Sequence, residues 1–544
     1  METRALLAFV ISVAILVGYQ YLFAPAPVPV PVPGGEPGTS GEARPAAPSP
    51  TVAPGVPEVA PATPEQDRAE EIPARSGEDE RVVAVETELY RAVFTSFGGR
   101  LKHFELENHR LTPDPDSPPL DMVVADSRLP LGVYWTRADG SVADDGPIDF
   151  EIRTDASEAH GDADATITLV GVASDGTRVT KTVVLHGDSY VLDYSVQVEA
   201  AHAPPVGVAW ARAVSEDAGR LGGIDGPAAY VEAALHASAA SSLEDPLEIV
   251  GLTDWAGYAD HYFLSAYFPS EPRVLRFVGR SDEGVGQAIL WDDQAAGRVS
   301  YKLFVGPKKL NLLQSLGHSL SQAVDLGWFA FVARPLLELL VFLHRFTGNY
   351  GWAIILITVG IRIVFYPVNK RQIESMKAMQ RVQPELKRIQ EKFKDDRERL
   401  NKEMMEVYRR HKVNPLSGCL PMLLQLPVFL GLYNALLQSI ELRHAPFLGW
   451  IHDLSQPDRL GSLPIPFVSP PGIPVMTLLM GASMVIQQRM TPGTGDPVQQ
   501  RMMMFLPVIF TVMFINFPAG LVLYWLSNNV LSIVQQQLTT RRKS

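Results

Sequence analysis

Arg362 is the residue whose position in this chain most needs an explanation. It stands in IRIVFYPVNK, residues 361–370, directly after Tyr350–Ile361, a stretch without a charged residue. In the middle of a membrane helix an arginine costs at least ~2.5–3.5 kcal/mol on insertion scales. Such a charge is tolerated where it faces a partner or a water-filled cavity. Thr358 lies one turn away on the same helix face. Gln425 enters a second apolar run, Leu420–Ile440, at a similar depth and in the opposite direction. Asn528 and Asn529 lie in the last apolar run, with Trp525 one turn earlier. Polar side chains from several helices around one cation describe a hydrated cavity. Its chemistry would be electrostatic: attraction of an acidic or polar segment. The competing reading is a side chain that only snorkels to the inner headgroups.

Other chemistry finds little support. The sequence has no HExxH, no G-x-S-x-G, no Walker A loop and no Gly-rich nucleotide fingerprint. HGDSY, 186–190, sits among alternating strand residues and reads as a turn. His411, His444 and His452 lie in loops without ligand spacing, so neither a metal nor another cofactor is expected. Cys419 is the single cysteine, which excludes an intrachain disulfide; it reads as a small apolar residue at a helix end. The chain is read as a non-enzyme. A small-solute transporter would show repeated halves, and the apolar runs do not repeat.

Arg362 needs elements to hold it, and charge separates them. Residues 346–544 hold 22 Lys/Arg against 12 Asp/Glu; subtraction from the chain totals of 47 and 60 leaves 25 against 48 for residues 1–345. One part is acidic and the other basic and apolar, as expected of two compartments. Arg4 precedes an apolar run, Ala5–Phe23, that reads as an N-terminal signal-anchor helix within residues 1–23. Residues 24–78 form a linker; 13 of the 41 residues in 24–64 are proline, and such a chain stays extended. Residues 79–308 alternate in short runs: in YVLDYSVQVEA, Leu192, Tyr194, Val196 and Val198 face one way. ATITLVGV, RVTKTVVL, RVLRFVG and VSYKLFVG behave alike, predicting a large antiparallel β-sandwich. Residues 309–346 are expected to form helices on the membrane surface, because Arg334, Pro335, Glu338 and His344 interrupt the apolar run 328–346. Residues 347–541 form a five-helix core with apolar runs Tyr350–Val368, Leu420–Ile440, Pro474–Met490, Met502–Phe517 and Pro518–Leu538. With the anchor this gives six transmembrane helices. Within the core, 369–415 predicts a helical hairpin with apolar stripes at Ile373, Met376, Val382, Leu386, Ile389 and Phe393, and at Leu400, Met404, Val407 and Tyr408. The loop 369–418 carries 14 Lys/Arg and eight Asp/Glu, which places it, with both termini, in the cytoplasm and the β-domain outside.

Three stretches, NPLSGCLPMLLQLPVFLGLYNAL, APFLGWIHDLS and FPAGLVLYWLSNNVLSIVQQQL, closely resemble the YidC/Oxa/Alb family of membrane insertases. SYKLFVGPK and FTGNYGW are similar to its Gram-negative form. The resemblance covers most of 299–541; upstream it lies in layout more than in motif. It implies insertion and folding of inner-membrane proteins, alone or with the Sec translocon, through a hydrophilic groove open to the cytoplasm and lipid but closed to the outside. Nascent membrane proteins and the bilayer are then the partners, with no direct nucleic-acid contact. In that frame Arg362, four residues before Tyr366-Pro367, is the groove arginine. Thr358 and Trp525 fall on groove positions; Gln425 and Gln488 are looser candidates, and Asn528 joins them from the reading above. The β-domain resembles the family's supersandwich, related in shape to sugar-binding domains. The basic tail is only Arg541, Arg542 and Lys543 before Ser544, so only weak ribosome contact is implied. The alternative is a periplasmic receptor on a membrane scaffold, which would lose all activity without residues 79–300, where an insertase would keep most.

Overall fold

A computed structural model describes residues 80–124, 128–214, 224–393, 396–411, 420–466, 468–490 and 497–541. The expected N-terminal anchor, the proline-rich linker, Cys419 and the tail after Arg541 lie outside the described residues, as do the side chains of Ile373 and Met376.

Strands run from Val82–Thr87 to Arg298–Pro307 and form a five-stranded sheet and a 14-stranded sheet. The expected large β-sandwich is present, and strand alternation builds it. Val191–Glu199 pairs antiparallel with Arg178–His186 and with Arg298–Pro307. It buries Leu192, Tyr194, Val196 and Val198, because a period of two sends alternate side chains to one face. The same alternation in Arg178–His186 buries Val179, Val183 and Leu185, and with them Lys181.

Lys181 is 0% exposed and sits between the sheets. Its ammonium donates to the carbonyls of Gly98 at 2.7 Å, Gly99 at 2.8 Å and Leu131 at 2.9 Å, and pairs with Asp145 at 2.5 Å. Asp145 also accepts from the Val133 amide at 2.9 Å and pairs with Arg100. Arg100 Nη1 reaches the Leu129 carbonyl at 3.1 Å. A Cβ at position 132 would collide with the guanidinium, so a larger residue there would have to displace Arg100 from this network. Arg100 belongs to the small sheet and Lys181 to the large one; Asp145 ties the two together.

The helical part contains α1 (Leu310–Leu316), α2 (Ala330–Thr347), α3 (Tyr350–Val364), α4 (Tyr366–Lys392), α5 (Arg397–Arg410), α6 (Leu420–Gln438), α7 (Val475–Met490), α8 (Pro497–Phe514) and α9 (Ala519–Arg541). Asn349 caps α3 by accepting from the amides of Gly351 at 2.9 Å and Trp352 at 3.3 Å. The expected apolar run Tyr350–Val368 is divided: α3 stops at Val364, and Pro367 lies in the first turn of α4. Proline lacks an N–H and disfavours a helical residue before it, so the boundary falls just upstream.

Among the described residues no helix is long and apolar enough to cross a membrane. α3 and α7 have 15 and 16 residues, short of the ~20 that an isolated span needs. α9 is longer, but Asn528, Asn529 and Gln535–Gln537 interrupt it. α6 and α8 both contain residues whose side chains lie outside the described set.

α2 packs on α3 and α6 through Ala333, Leu337 and Leu340. Its opposite face leaves Phe331, Leu339, Phe342 and Phe346 exposed, with Trp328 just before it. α4 and α5 close on one another around Val382, Leu386 and Val407, with Ile389, Met404 and Tyr408 packed alongside. Among the bonds that join the β-domain to the helical part, His261 Nε2 lies 2.8 Å from the Leu437 carbonyl, and Arg443 donates to the carbonyls of Arg110 at 2.8 Å and Leu111 at 3.2 Å.

Candidate functional site

The last turn of α3 presents Arg362 to α9. Its Nε donates to Asn528 Oδ1 at 2.9 Å, and its Nη2 donates to the Asn528 carbonyl at 2.9 Å and to the Ser532 hydroxyl. Asn528 and Ser532 are four residues apart and share a face of α9. Ser532 in turn donates to the Asn528 carbonyl at 2.8 Å. Gln425 approaches from α6, with Nε2 3.5 Å from Asn528 Oδ1.

The guanidinium is half-buried, and among the described residues no carboxylate lies within ion-pair distance of it. These acceptors are neutral, so the arrangement holds the cation in place without neutralising it. Ile363 and Val364, directly after it, are 69% and 72% exposed. The site therefore pairs an uncompensated positive charge with an apolar exterior. An acidic group arriving there would gain the hydrogen bonds and the charge together.

The other expected residues fall at different distances from this centre. Thr358 is buried, and its hydroxyl donates to the Ile354 carbonyl at 2.7 Å within its own helix, a common use of threonine in a helix interior. Trp525 belongs to an aromatic cluster: its ring lies 4.8 Å from Phe429, 5.4 Å from Phe510 and 4.8 Å from Phe514. That cluster fastens α6, α8 and α9 one turn from Asn528. Gln488 is half-buried on α7, and among the described residues no hydrogen bond joins it to Arg362 or Asn528. Asn529 points the other way and donates to Ser483 of α7 at 3.0 Å.

Sequence reasoning missed Ser532 and Ser483. The spacing of Asn528 and Ser532 was a readable signal, since two polar residues four apart in an apolar run share one face. Ser483 had none, because a serine inside GASM reads as a small packing residue.

The family profile described as 60Kd inner membrane protein matches residues 342–544, and that described as YidC periplasmic domain matches residues 82–339. The membrane protein insertase YidC of Geobacter metallireducens is 38% identical over 551 residues, covering 98% of each chain. That of Pelobacter propionicus is 40% identical over 559 residues, again covering 98% of each. This chain belongs to the YidC family. A crystal structure of an active YidC insertase with its first transmembrane domain resolved covers 83% of this chain and 91% of its own, at 19% identity and a TM-score of 0.35. The two YidC profiles meet within α2, between residues 339 and 342.

Proposed function

We propose that this chain, a membrane protein insertase of the YidC family, draws client segments into the bilayer at Arg362. The observation that carries the reading is the guanidinium held by Asn528 and Ser532, with no carboxylate of the described residues in reach. A segment bearing Asp, Glu or polar groups enters a hydrated groove between α3, α6 and α9 from the cytoplasm. The cation offsets part of its desolvation, and the remaining path to the far side is shortened. The exposed apolar face of α8, with Phe505, Val508 and Val512, then offers the following hydrophobic segment a route into lipid. No nucleotide-binding motif is present; the drive is hydrophobic partitioning, with the membrane potential adding about 2.3 kcal/mol per charge per 100 mV.

In this reading six helices span the inner membrane: the N-terminal run, α3, α6, α7, α8 and α9. Short helices are accommodated by local thinning of the bilayer. Both termini and the α4–α5 hairpin face the cytoplasm, while the β-sandwich and residues 441–473 face the periplasm. The loop's excess of 14 Lys/Arg over eight Asp/Glu supports that orientation. α2 lies at the outer surface with Trp328, Phe331, Phe342 and Phe346 toward lipid. The protein works alone or beside the Sec translocon, with at most weak ribosome contact.

Photocrosslinking during synthesis of a single-spanning client tests the route. Probes at Phe505 and Val508 of α8, and at Gln425 of α6, should capture the client. Capture only by the β-sandwich, with all activity lost on deleting residues 79–300, would favour the receptor reading.

A further inference from the structure

Away from Arg362, a second arginine is bound in an unusual way. Arg459 lies in the segment between α6 and α7, and all five N–H groups of its guanidinium are occupied. Nε donates to the Pro470 carbonyl at 2.7 Å. Nη1 donates to the carbonyls of Asp458 at 2.8 Å and Ile515 at 3.0 Å. Nη2 donates to the Ser469 carbonyl and to Asn516 Oδ1, both at 2.8 Å. Ile515 and Asn516 form the turn between α8 and α9, and Asn516 Oδ1 also accepts from the Ser469 amide at 3.1 Å.

The neighbouring residue holds a third helix. Asp458 is buried; its carboxylate accepts from the Met476 amide at 2.6 Å and the Thr477 hydroxyl at 3.0 Å, capping the start of α7 from outside the helix. Just upstream, the Gln456 and Leu454 carbonyls accept from the amides of Ala519 at 2.7 Å and Gly520 at 2.8 Å, at the start of α9. Residues 454–459 thus join the start of α7, the end of α8 and the start of α9. All of these lie at the opposite end of α9 from Ser532.

We infer that Asp458 and Arg459 are positioning residues for insertion, a clasp that shuts the outer end of the site. The inference rests on the proposed topology, in which residues 441–473 face the periplasm. With the three helix ends tied, the space around Arg362 opens to the cytoplasm and to lipid alone, and a client segment halted there has one exit. A lysine could not replace the arginine, because a single ammonium cannot reach five acceptors spread over two segments and a turn.

Thiol labelling tests the clasp. In the full chain with Cys419→Ser, Gln425→Cys reports on the site and Ser462→Cys reports on the 441–473 segment. A membrane-impermeant reagent is added from the periplasmic side. Ser462→Cys should react in every variant; failure to react would overturn the proposed topology, and the clasp with it. Gln425→Cys should be protected while Arg459 is present. Adding Arg459→Ala should raise its labelling rate at least about tenfold, the factor expected from losing one hydrogen bond to a charged group. Arg459→Lys should give a smaller rise. Unchanged protection in Arg459→Ala would overturn the clasp, even with a lower Tm, because a merely structural brace predicts that result. Should Arg459→Ala fail to accumulate, Arg459→Lys and Asn516→Ala decide: increased labelling supports the clasp and unchanged labelling overturns it.

Discussion

Lys181 and Arg362 are both cations withdrawn from bulk water, and the protein treats them in opposite ways. Lys181 is 0% exposed, bonded to three carbonyls and paired with Asp145, which also holds Arg100. Arg362 is half-buried and bonded to neutral oxygens of Asn528 and Ser532. A buried cation whose counter-ion is built in has nothing left to offer a ligand; it binds two sheets together. A cation without one keeps its field available, and the helices around it must tolerate that. The contrast teaches that the informative feature of a buried charge is which partners are missing.

Breaking the first site should have the largest effect. Asp145→Asn leaves two cations facing an amide between the sheets, which should cost about 3–5 kcal/mol, as expected for an orphaned buried charge. The urea midpoint of the β-sheet transition measures it; a loss below about 1 kcal/mol would mean that water enters between the sheets. The pH dependence of Lys181 sharpens the same point. Burial holds its pKa down to about 8 from 10.5, although Asp145 pulls it up. Across that window the unfolded chain binds more protons than the folded one, so this lysine adds stability as pH rises. The native chain should therefore gain on Lys181→Met as pH is raised from 8 toward 10. A pH-independent gap would mean that the lysine stays charged throughout.

Arg362→Met is the matching test of the second site. It strands no carboxylate, and Asn528 and Ser532 can turn to water or to each other. The unfolding midpoint should shift by no more than about 1 kcal/mol, the range of a lost ordinary hydrogen bond. A loss as large as that of Asp145→Asn would make Arg362 another structural cation. The smallest effect belongs to an exposed pair on the α4–α5 hairpin, where Glu385 meets Arg410 at 3.4 Å and His411 at 2.9 Å. Glu385→Gln should change hairpin stability by under about 1 kcal/mol, measured by amide exchange in α5.

The sequence made some of this visible and hid the rest for definable reasons. Alternation in YVLDYSVQVEA revealed the buried face of its strand, because a period of two is a local property. The same alternation put Lys181 inward, but its partners Asp145 and Arg100 lie far away in the chain and share no local pattern with it. Arg362 was legible as a charge in an apolar run, and Asn528 as a polar residue in another. Thr358 looked like a third contributor; its hydroxyl is taken by the Ile354 carbonyl, a bond that sequence does not distinguish from an outward one. The helix boundary at Val364 follows from Pro367, whose effect on the preceding backbone was overridden by continuous apolarity. Arg459 gave no signal at all, since four of its five acceptors are backbone carbonyls, which every residue carries.

In the proposed function Arg362 acts on clients through its charge. Clients whose translocated tails differ only in Asp/Glu count, inserted at matched levels of the insertase, test it through protease protection of the tail. Arg362→Ala should reduce protection of acidic tails much more than of neutral ones, Arg362→Glu should reduce it further, and Arg362→Lys should retain most of it despite losing the planar fork. Equal impairment of acidic and neutral tails by Arg362→Ala, or no impairment of either, would contradict the account.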